Sequence, residues 1–292
     1  MNSDRTAGHE SLFQIIRVVL LAALVLSCAA TTVRADRRLR IVTFNAECLA
    51  APGTNATKIP RFRWDHARRE HLERGASLIE MLAPDVFNLL EVTSKVRVDE
   101  LVKILHEKGL TEYRGHHVES ADGFTGFDVA VIARFPLDKI EGQEIRSVAL
   151  LDGDQWRATG GFKDDRGGER TVSATIDRSV LYNMTIDGVK LGFLGLHLKS
   201  NPDDAYSNAK RTAEAEVARR VIQKEIVARG YLPIVLGDLN DYDPDVPDRD
   251  DSRETKTEVL RRLKDYDEAS EGAELVNVAS KIARKADRYT SH

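Results

Sequence analysis

The sequence predicts an α/β fold in which two sheets form a sandwich with helices outside. Three observations carry that prediction. Short β-branched runs of strand length, such as residues 39–44 (LRIVTF) and 85–90 (DVFNLL), alternate with segments whose apolar residues recur at helical spacing. Asp187-Gly188 separates two alternating stretches, Val180, Tyr182, Met184, Ile186 before it and Val189, Leu191, Phe193 after it, which marks a hairpin and so antiparallel pairing. Interspersed strands, hairpins and helices favour two sheets over one purely parallel sheet.

The first 35 of the 292 residues read as a targeting segment. Val18 to Ala30 is a 13-residue apolar run preceded by Arg17, too short for the roughly 20 residues of a membrane span and suited to the 7–15 residues of an export signal. Val33-Arg34-Ala35 supplies a small-residue cleavage signal. Leu26-Ser27-Cys28 offers a second reading, a lipoprotein cleavage site that would anchor the chain at Cys28. The expectation is an exported protein, periplasmic or extracellular, with no membrane span in the mature chain and monomeric. Removing 35 residues leaves 292 − 35 = 257, the size of one large domain spanning residues 36–292.

Within that domain, Leu72, Ala76, Ile79, Leu82 and Ala83 predict a helix over residues 65–83 closed by Pro84. Val98, Leu101, Val102 and Leu105 predict another over 95–108, stopped by Gly109. Residues 127–133 (FDVAVIA) form a buried strand, and Ala209, Ala213, Val217, Val221 and Ile226 predict a long helix over about 205–229, ended by Gly230. The run 232–236 (LPIVL) is a short, fully apolar strand. At 42% hydrophobic and 31% charged, the chain is neither a disordered tail nor a collagen-like fibre. Its net charge of -4 gives no reason for indiscriminate attachment to nucleic acid or anionic lipid. Two cysteines, Cys28 and Cys48, are too few for a disulfide-built scaffold.

Polar groups able to bind metal or phosphate recur where apolar strands stop: Asn45 and Glu47, Glu91, His197, and then Asp238 and Asn240. Strand ends are rigid, so carboxylates placed there can converge on one hard cation. Taken singly, each is more often a turn or cap residue. Taken together, Thr43-Phe44-Asn45, Leu89-Leu90-Glu91-Val92, Arg134-Phe135-Pro136, His197-Leu198-Lys199-Ser200 and Gly237-Asp238-Leu239-Asn240-Asp241, in this order, resemble the endonuclease/exonuclease/phosphatase superfamily of the pancreatic deoxyribonuclease fold. The likeness runs from Arg40 to about Tyr242.

That resemblance implies a four-layer α/β sandwich hydrolysing phosphate esters with a divalent cation, usually Mg2+, with Ca2+ or Mn2+ as alternatives. It implies that Glu91 ligates the metal, with Asn45 and Asp238 in its shell and Glu47 secondary. Asp238 would orient the attacking water, Asn240 would bind phosphoryl oxygens, His197 would contact the phosphate or assist the leaving group, and Arg134 would be a further donor. A secreted nuclease acting on nucleic acid is the first expectation. A phosphatase or a phospholipid or inositol-phosphate phosphodiesterase is the alternative within the fold, and a non-catalytic phosphate-binding protein the alternative outside it. The last alternative arises because nothing after Asn240 reads as the Asp-His element that the resemblance leads one to expect on a final core strand. The domain is therefore expected to lack its C-terminal strand or strands, whose Asp-His element would otherwise support activity.

Other clusters have plainer expectations. Arg61, Arg63, Trp64, His66, Arg68 and Arg69 suit either a nucleic-acid contact or a solvated helix start. Asp241, Asp243, Asp245, Asp248, Asp250 and Asp251 read as a solvated acidic loop rather than a calcium site, and His116-His117 as an exposed strand-end pair. Asn55 and Asn183 match glycosylation acceptors, the second inside an expected strand, and Cys48 reads as a small buried apolar residue.

Overall fold

In a computed structural model, the structure describes residues 38–50, 69–123, 125–249, 257–267, 269 and 274–288. The targeting segment, the basic cluster up to Arg68, Asn55, and Asp250 and Asp251 lie outside the described residues. The strands and helices all belong to one compact unit, Arg40–His292.

One sheet has the order β1 (Ile41–Leu49), β2 (Val86–Val92), β4 (Asp128–Ala133), β3 (Arg114–His117), with β1 and β2 parallel and the others antiparallel. The other has the order β10 (Leu232–Asp238), β9 (Val189–His197), β8 (Ser179–Ile186), β5 (Ile145–Arg146), again with one parallel pair at one side. A two-stranded ribbon of β6 (Ala158–Lys163) and β7 (Glu169–Ala174) lies apart from both. The turn between β8 and β9 falls at Asp187 and Gly188, both with positive φ, as the alternation predicts.

Alternation along each strand sorts its residues between two layers. Phe87, Leu89, Ala130 and Ile132 face helices α1 (Arg69–Leu82) and α2 (Lys95–Glu107), which return Leu72, Ala76, Ile79, Val98 and Leu101. Leu181, Leu194 and Leu196 pack under helix α3 (Ala205–Val221) through Ala215, Val217, Ala218 and Val221. The remaining faces meet each other: Gly195 of β9 lies against Asn88 of β2, and a Cβ there would collide with Asn88 Oδ1. Helix, sheet, sheet, helix gives the four-layer sandwich. Among the described residues, no helix is long and apolar enough to cross a membrane.

Three expectations change. The α-helical part of the long helix stops at Val221, and a π-helical turn over Ile222–Ile226 and a 3-10 turn over Val227–Arg229 lead to left-handed Gly230. Widening the turn keeps Ile222 and Ile226 both fully buried, with Ile226 seated where Gly192 has no side chain. His116 and His117 are not an exposed pair: His117 Nε2 lies 2.7 Å from Asp128 Oδ2, and both side chains are buried. Of the aspartates after Asn240, the side chains of Asp241 and Asp243 are buried rather than solvated, while that of Asp245 stays exposed. Asp241 pairs with Arg211, while Asp243 and Asp245 take Lys264 of helix α4 (Val259–Lys264) at 2.8 Å each. Asn183 is fully buried in β8, which removes it as a glycan acceptor. Cys48 is buried and free, its thiol pushed up to about 12 by burial, with Glu91 and Glu47 adding to the effect.

Candidate active site

The C-terminal ends of β1, β2, β9 and β10 meet at one end of the sandwich. The register puts Asp238 directly beside His197, and β1 and β2 pack against β10 across the sheets. Asn45 joins the layers: its Nδ2 donates to Glu91 Oε1 at 3.0 Å and to Asp238 Oδ2 at 3.2 Å. The remaining amide oxygen of Asn45 accepts from the backbone N of Glu47 at 2.9 Å. Asp238 Oδ1 accepts from Asn240 N at 3.1 Å, and Asn240 Nδ2 donates to Leu198 O at 3.0 Å. The site thus gathers Asn45, Glu91, His197, Asp238 and Asn240.

Local backbone geometry is unusual here. Glu47, Cys48, Glu91 and Asn240 all have positive φ, and the pairing of β1 with β2 slips between Asn45 and Leu49. Non-glycine residues in this region cost energy and persist only where surrounding contacts hold them, a pattern concentrated at functional sites. Gly237, at φ 134, precedes Asp238, and a Cβ there would strike Leu196 O. Only glycine lets β10 approach β9 so closely while turning Asp238 toward the site.

The charges are not balanced within the group. Burial holds the Glu91 carboxyl above its ordinary range, and the nearby Asp238 charge adds to this against the Asn45 hydrogen bond and the Arg178 guanidinium. His197 is pushed down to about 3, chiefly by burial and then by Arg178, so it is a neutral imidazole. Its Nε2 lies 3.8 Å from Glu91 Oε1 and 3.5 Å from Arg178 NH1, and its Nδ1 has no hydrogen-bond partner among the described residues. Two carboxylates, a neutral ring and an arginine therefore face the same space.

Arg178 is the member that sequence reasoning missed. It precedes β8 opposite His197, where its backbone O accepts from His197 N at 3.0 Å and its NH2 donates to Leu198 O at 3.1 Å. No motif marks it in the sequence; its only signal is a cation immediately before an alternating strand. Arg134, by contrast, is not brought to the site. It follows β4, whose end pairs with Val86 at the start of β2, the far end of the strand from Glu91. There it packs over Tyr113 at 4.8 Å and faces Glu112 and Asp85. The antiparallel direction of β4 reverses which strand end reaches the site, and sequence order does not reveal that. Glu47 is tied in through its backbone, and its side chain is in an exposed position.

Beneath the site, α3 pins the loops that carry it. Asp204 starts this helix by accepting from Ser207 N at 2.8 Å. Arg211, fully buried, donates to Asp241 Oδ2 at 3.0 Å, to Lys199 O at 2.7 Å and to Asn208. Glu214 Oε2 accepts from Lys199 N at 2.9 Å. Burial pushes the Glu214 carboxyl up from 4.5 to about 7, against the Lys199 N–H and the Lys210 charge. The folded state therefore keeps a proton that the unfolded chain releases, so stability falls as pH rises from 4.5 to 7, by at most about 3 kcal/mol. Glutamine at 214 retains an acceptor for Lys199 N and cannot ionise. Thermal melts should therefore show the Tm of Glu214→Gln rising relative to wild type between pH 5 and pH 8; a constant difference would contradict the assignment.

No family model matches the sequence, and no curated protein matches it. Solved structures do. An endonuclease/exonuclease/phosphatase family protein from Leptotrichia buccalis C-1013-b is similar at 13% identity, covering 78% of this chain and 73% of that one, with a TM-score of 0.44. A β-hairpin deletion mutant of beta toxin from Staphylococcus aureus is similar at 15% identity over 78% and 74% of the two chains, with a TM-score of 0.43. D. rerio TDP2 complexed with single strand DNA product is similar at 19% identity over 72% and 64%, with a TM-score of 0.41.

Proposed function

We propose that this chain is a metal-dependent phosphodiester hydrolase, most simply a nuclease, exported by its N-terminal apolar segment. The observation that carries this reading is the convergence of Glu91 and Asp238 on the Asn45 amide, with Arg178 and neutral His197 facing the same space.

The donor set suits a hard divalent cation. Among the described residues, no group of three or more His, Cys, Asp or Glu is gathered as a metal cluster. Magnesium commonly takes one or two carboxylates and completes its shell with water and substrate phosphate. Glu91 and Asp238 fit that demand: the Glu91 carboxyl is raised chiefly by burial, with the Asp238 charge adding to it, and a cation between the two would favour their ionised forms. Such a cation supplies positive charge against the phosphoryl oxygens of an already anionic ester.

The chain's own residues do the rest. Arg178, with no carboxylate in ion-pairing distance among the described residues, presents its guanidinium to a phosphoryl oxygen. His197 contacts the phosphate as a neutral imidazole. Asn240 spends one amide N–H on Leu198 O and keeps the second for the phosphate. Asp238, held at both oxygens by Asn45 and Asn240, orients the attacking water and accepts its proton. Fixed donors of this kind act without reorganising during reaction.

The test is turnover of bis(p-nitrophenyl) phosphate and plasmid DNA by the purified chain, with magnesium and with excess chelator. Chelation should lower both by at least about 100-fold, and added magnesium should restore them. Equal cleavage with and without chelator would end this reading. Parallel assays with sphingomyelin and inositol phosphates assign the ester.

A further inference from the structure

Among the described residues, Lys199 beside this site has no carboxylate as counterion. Its backbone is fixed on both sides, N to Glu214 Oε2 and O to Arg211 NH1, so its Cα is as rigid as the strand before it. β9 ends at His197, but Leu198 N still donates to Asp238 O at 3.0 Å and Leu198 is buried in the cluster under α3, so extended backbone at this point puts Lys199 on the side of His197. Two residues of extended chain separate the two Cα atoms by about 7 Å.

The neighbouring carboxylates are engaged elsewhere. Asp177 takes Lys210 Nζ at 2.8 Å, Glu214 takes Lys199 N and lies 3.9 Å from Lys210, and Asp204 caps α3. Among the described residues, no carboxylate lies within ion-pairing distance of the Lys199 ammonium. Burial holds this ammonium below its ordinary range, with the Arg178 and Lys210 charges adding to that and Asp204 and Glu214 opposing it. Of these three cations only Lys210 has a carboxylate in ion-pairing distance among the described residues, and Arg178 and the half-buried Lys199 together make a place where an anion gains more than it would on an open surface.

We propose that Lys199 binds a second anionic group of the substrate, one ester away from the phosphate held by Arg178 and His197, so that the site favours substrates carrying neighbouring phosphates. The proposal rests on the hydrolase reading for the identity of the first phosphate. The shared chemistry is a pair of phosphoryl groups on adjacent positions of one molecule, whether in a nucleotide chain or on an inositol ring.

Binding measured without turnover separates the two ideas. In chelator, fluorescence anisotropy of the full chain would be read with a labelled thymidine dinucleotide, with and without an added terminal phosphate. The wild-type chain should bind the phosphorylated form about tenfold more tightly, the worth of one charge-assisted contact. Lys199→Met should reduce that gain to less than about twofold, and Lys199→Arg should keep most of it. Competition by inositol 4-phosphate and inositol 4,5-bisphosphate, whose two phosphates are on adjacent ring positions, tells a nucleotide chain from a ring phosphate. An undiminished gain in Lys199→Met, or equal weakening of both dinucleotides, overturns the proposal. If turnover is absent but the gain and its loss in Lys199→Met are both seen, the hydrolase reading fails and the second subsite stands.

Discussion

Replacing Asp238 with alanine should lower magnesium-dependent turnover of a phosphodiester by about 10³-fold while leaving the protein folded. The size follows from how many roles meet at this one carboxylate. Its Oδ2 holds the Asn45 amide, its Oδ1 holds the Asn240 backbone, and it is one of the two carboxylates available to a cation. Alanine removes the water's proton acceptor and releases two neighbours at once. Stability should not suffer correspondingly, because the Asp238 charge raises the Glu91 carboxyl, and deleting it relieves that repulsion. Asp238→Asn keeps the shape and loses the charge, so it should fall nearly as far in turnover. Steady-state kinetics beside a thermal melt decide the matter. Turnover within about tenfold of wild type, in a protein with unchanged Tm, would remove Asp238 from the chemistry.

The largest effect on stability should come from Asp241, the next acidic residue along. The Asp241 and Arg211 side chains are both fully buried at 3.0 Å, and Thr257 Oγ1 donates to the same carboxylate oxygen at 2.6 Å. Asp241→Ala leaves Arg211 charged and unpaired in the interior, a change that typically costs about 3–5 kcal/mol. For a chain of this size the loss corresponds to a fall in Tm of about 10 °C. It also frees Thr257, whose hydroxyl accepts from Val259 N at the start of α4, so that helix should lose protection from hydrogen exchange first. Arg211→Met should cost a similar amount. The double variant Arg211→Met/Asp241→Ala should cost clearly less than the sum, because no buried charge is left alone. Additive losses would show that the two side chains act independently.

Asp238 and Asp241 show how far the sequence could be read. Asp238 ends an apolar run, so its place at a strand end is legible from residues 232–240. Asp241 sits in a row of aspartates that reads as a solvated loop, yet its side chain is fully buried because Arg211 rises from α3 to meet it. The helical stripe of Ala209, Ala213, Val217 and Val221 marks the buried face of α3, and Arg211 lies outside that stripe. Its burial comes from the loops at Lys199 and Asp241 folding over it, a contact between segments 30 residues apart.

The same division separates the active-site residues. Asn45, Glu91, His197, Asp238 and Asn240 each stand at the end of a hydrophobic run, and local periodicity finds such positions without knowing which sheet they join. Arg134 also follows a strand, but β4 runs antiparallel to β2 and delivers it to the far end, beside Tyr113. Arg178 carries only the weak signal of a cation before an alternating strand and reaches His197 because β8 pairs antiparallel with β9.

By itself, the sequence located strands β1, β2, β4, β8, β9 and β10 and helices α1 to α3, though not β5, the β6–β7 ribbon or α4, and it showed where the Asp187-Gly188 hairpin turns and which polar groups sit at strand ends. These follow from side-chain periodicity and turn chemistry, which act over a few residues. Only the tertiary structure decided which strand ends share one end of the sandwich, which charges are buried as pairs, and that Arg178 stands beside His197. Strand direction and sheet order set those neighbours. They are fixed by packing between segments far apart in the chain, which no local pattern records.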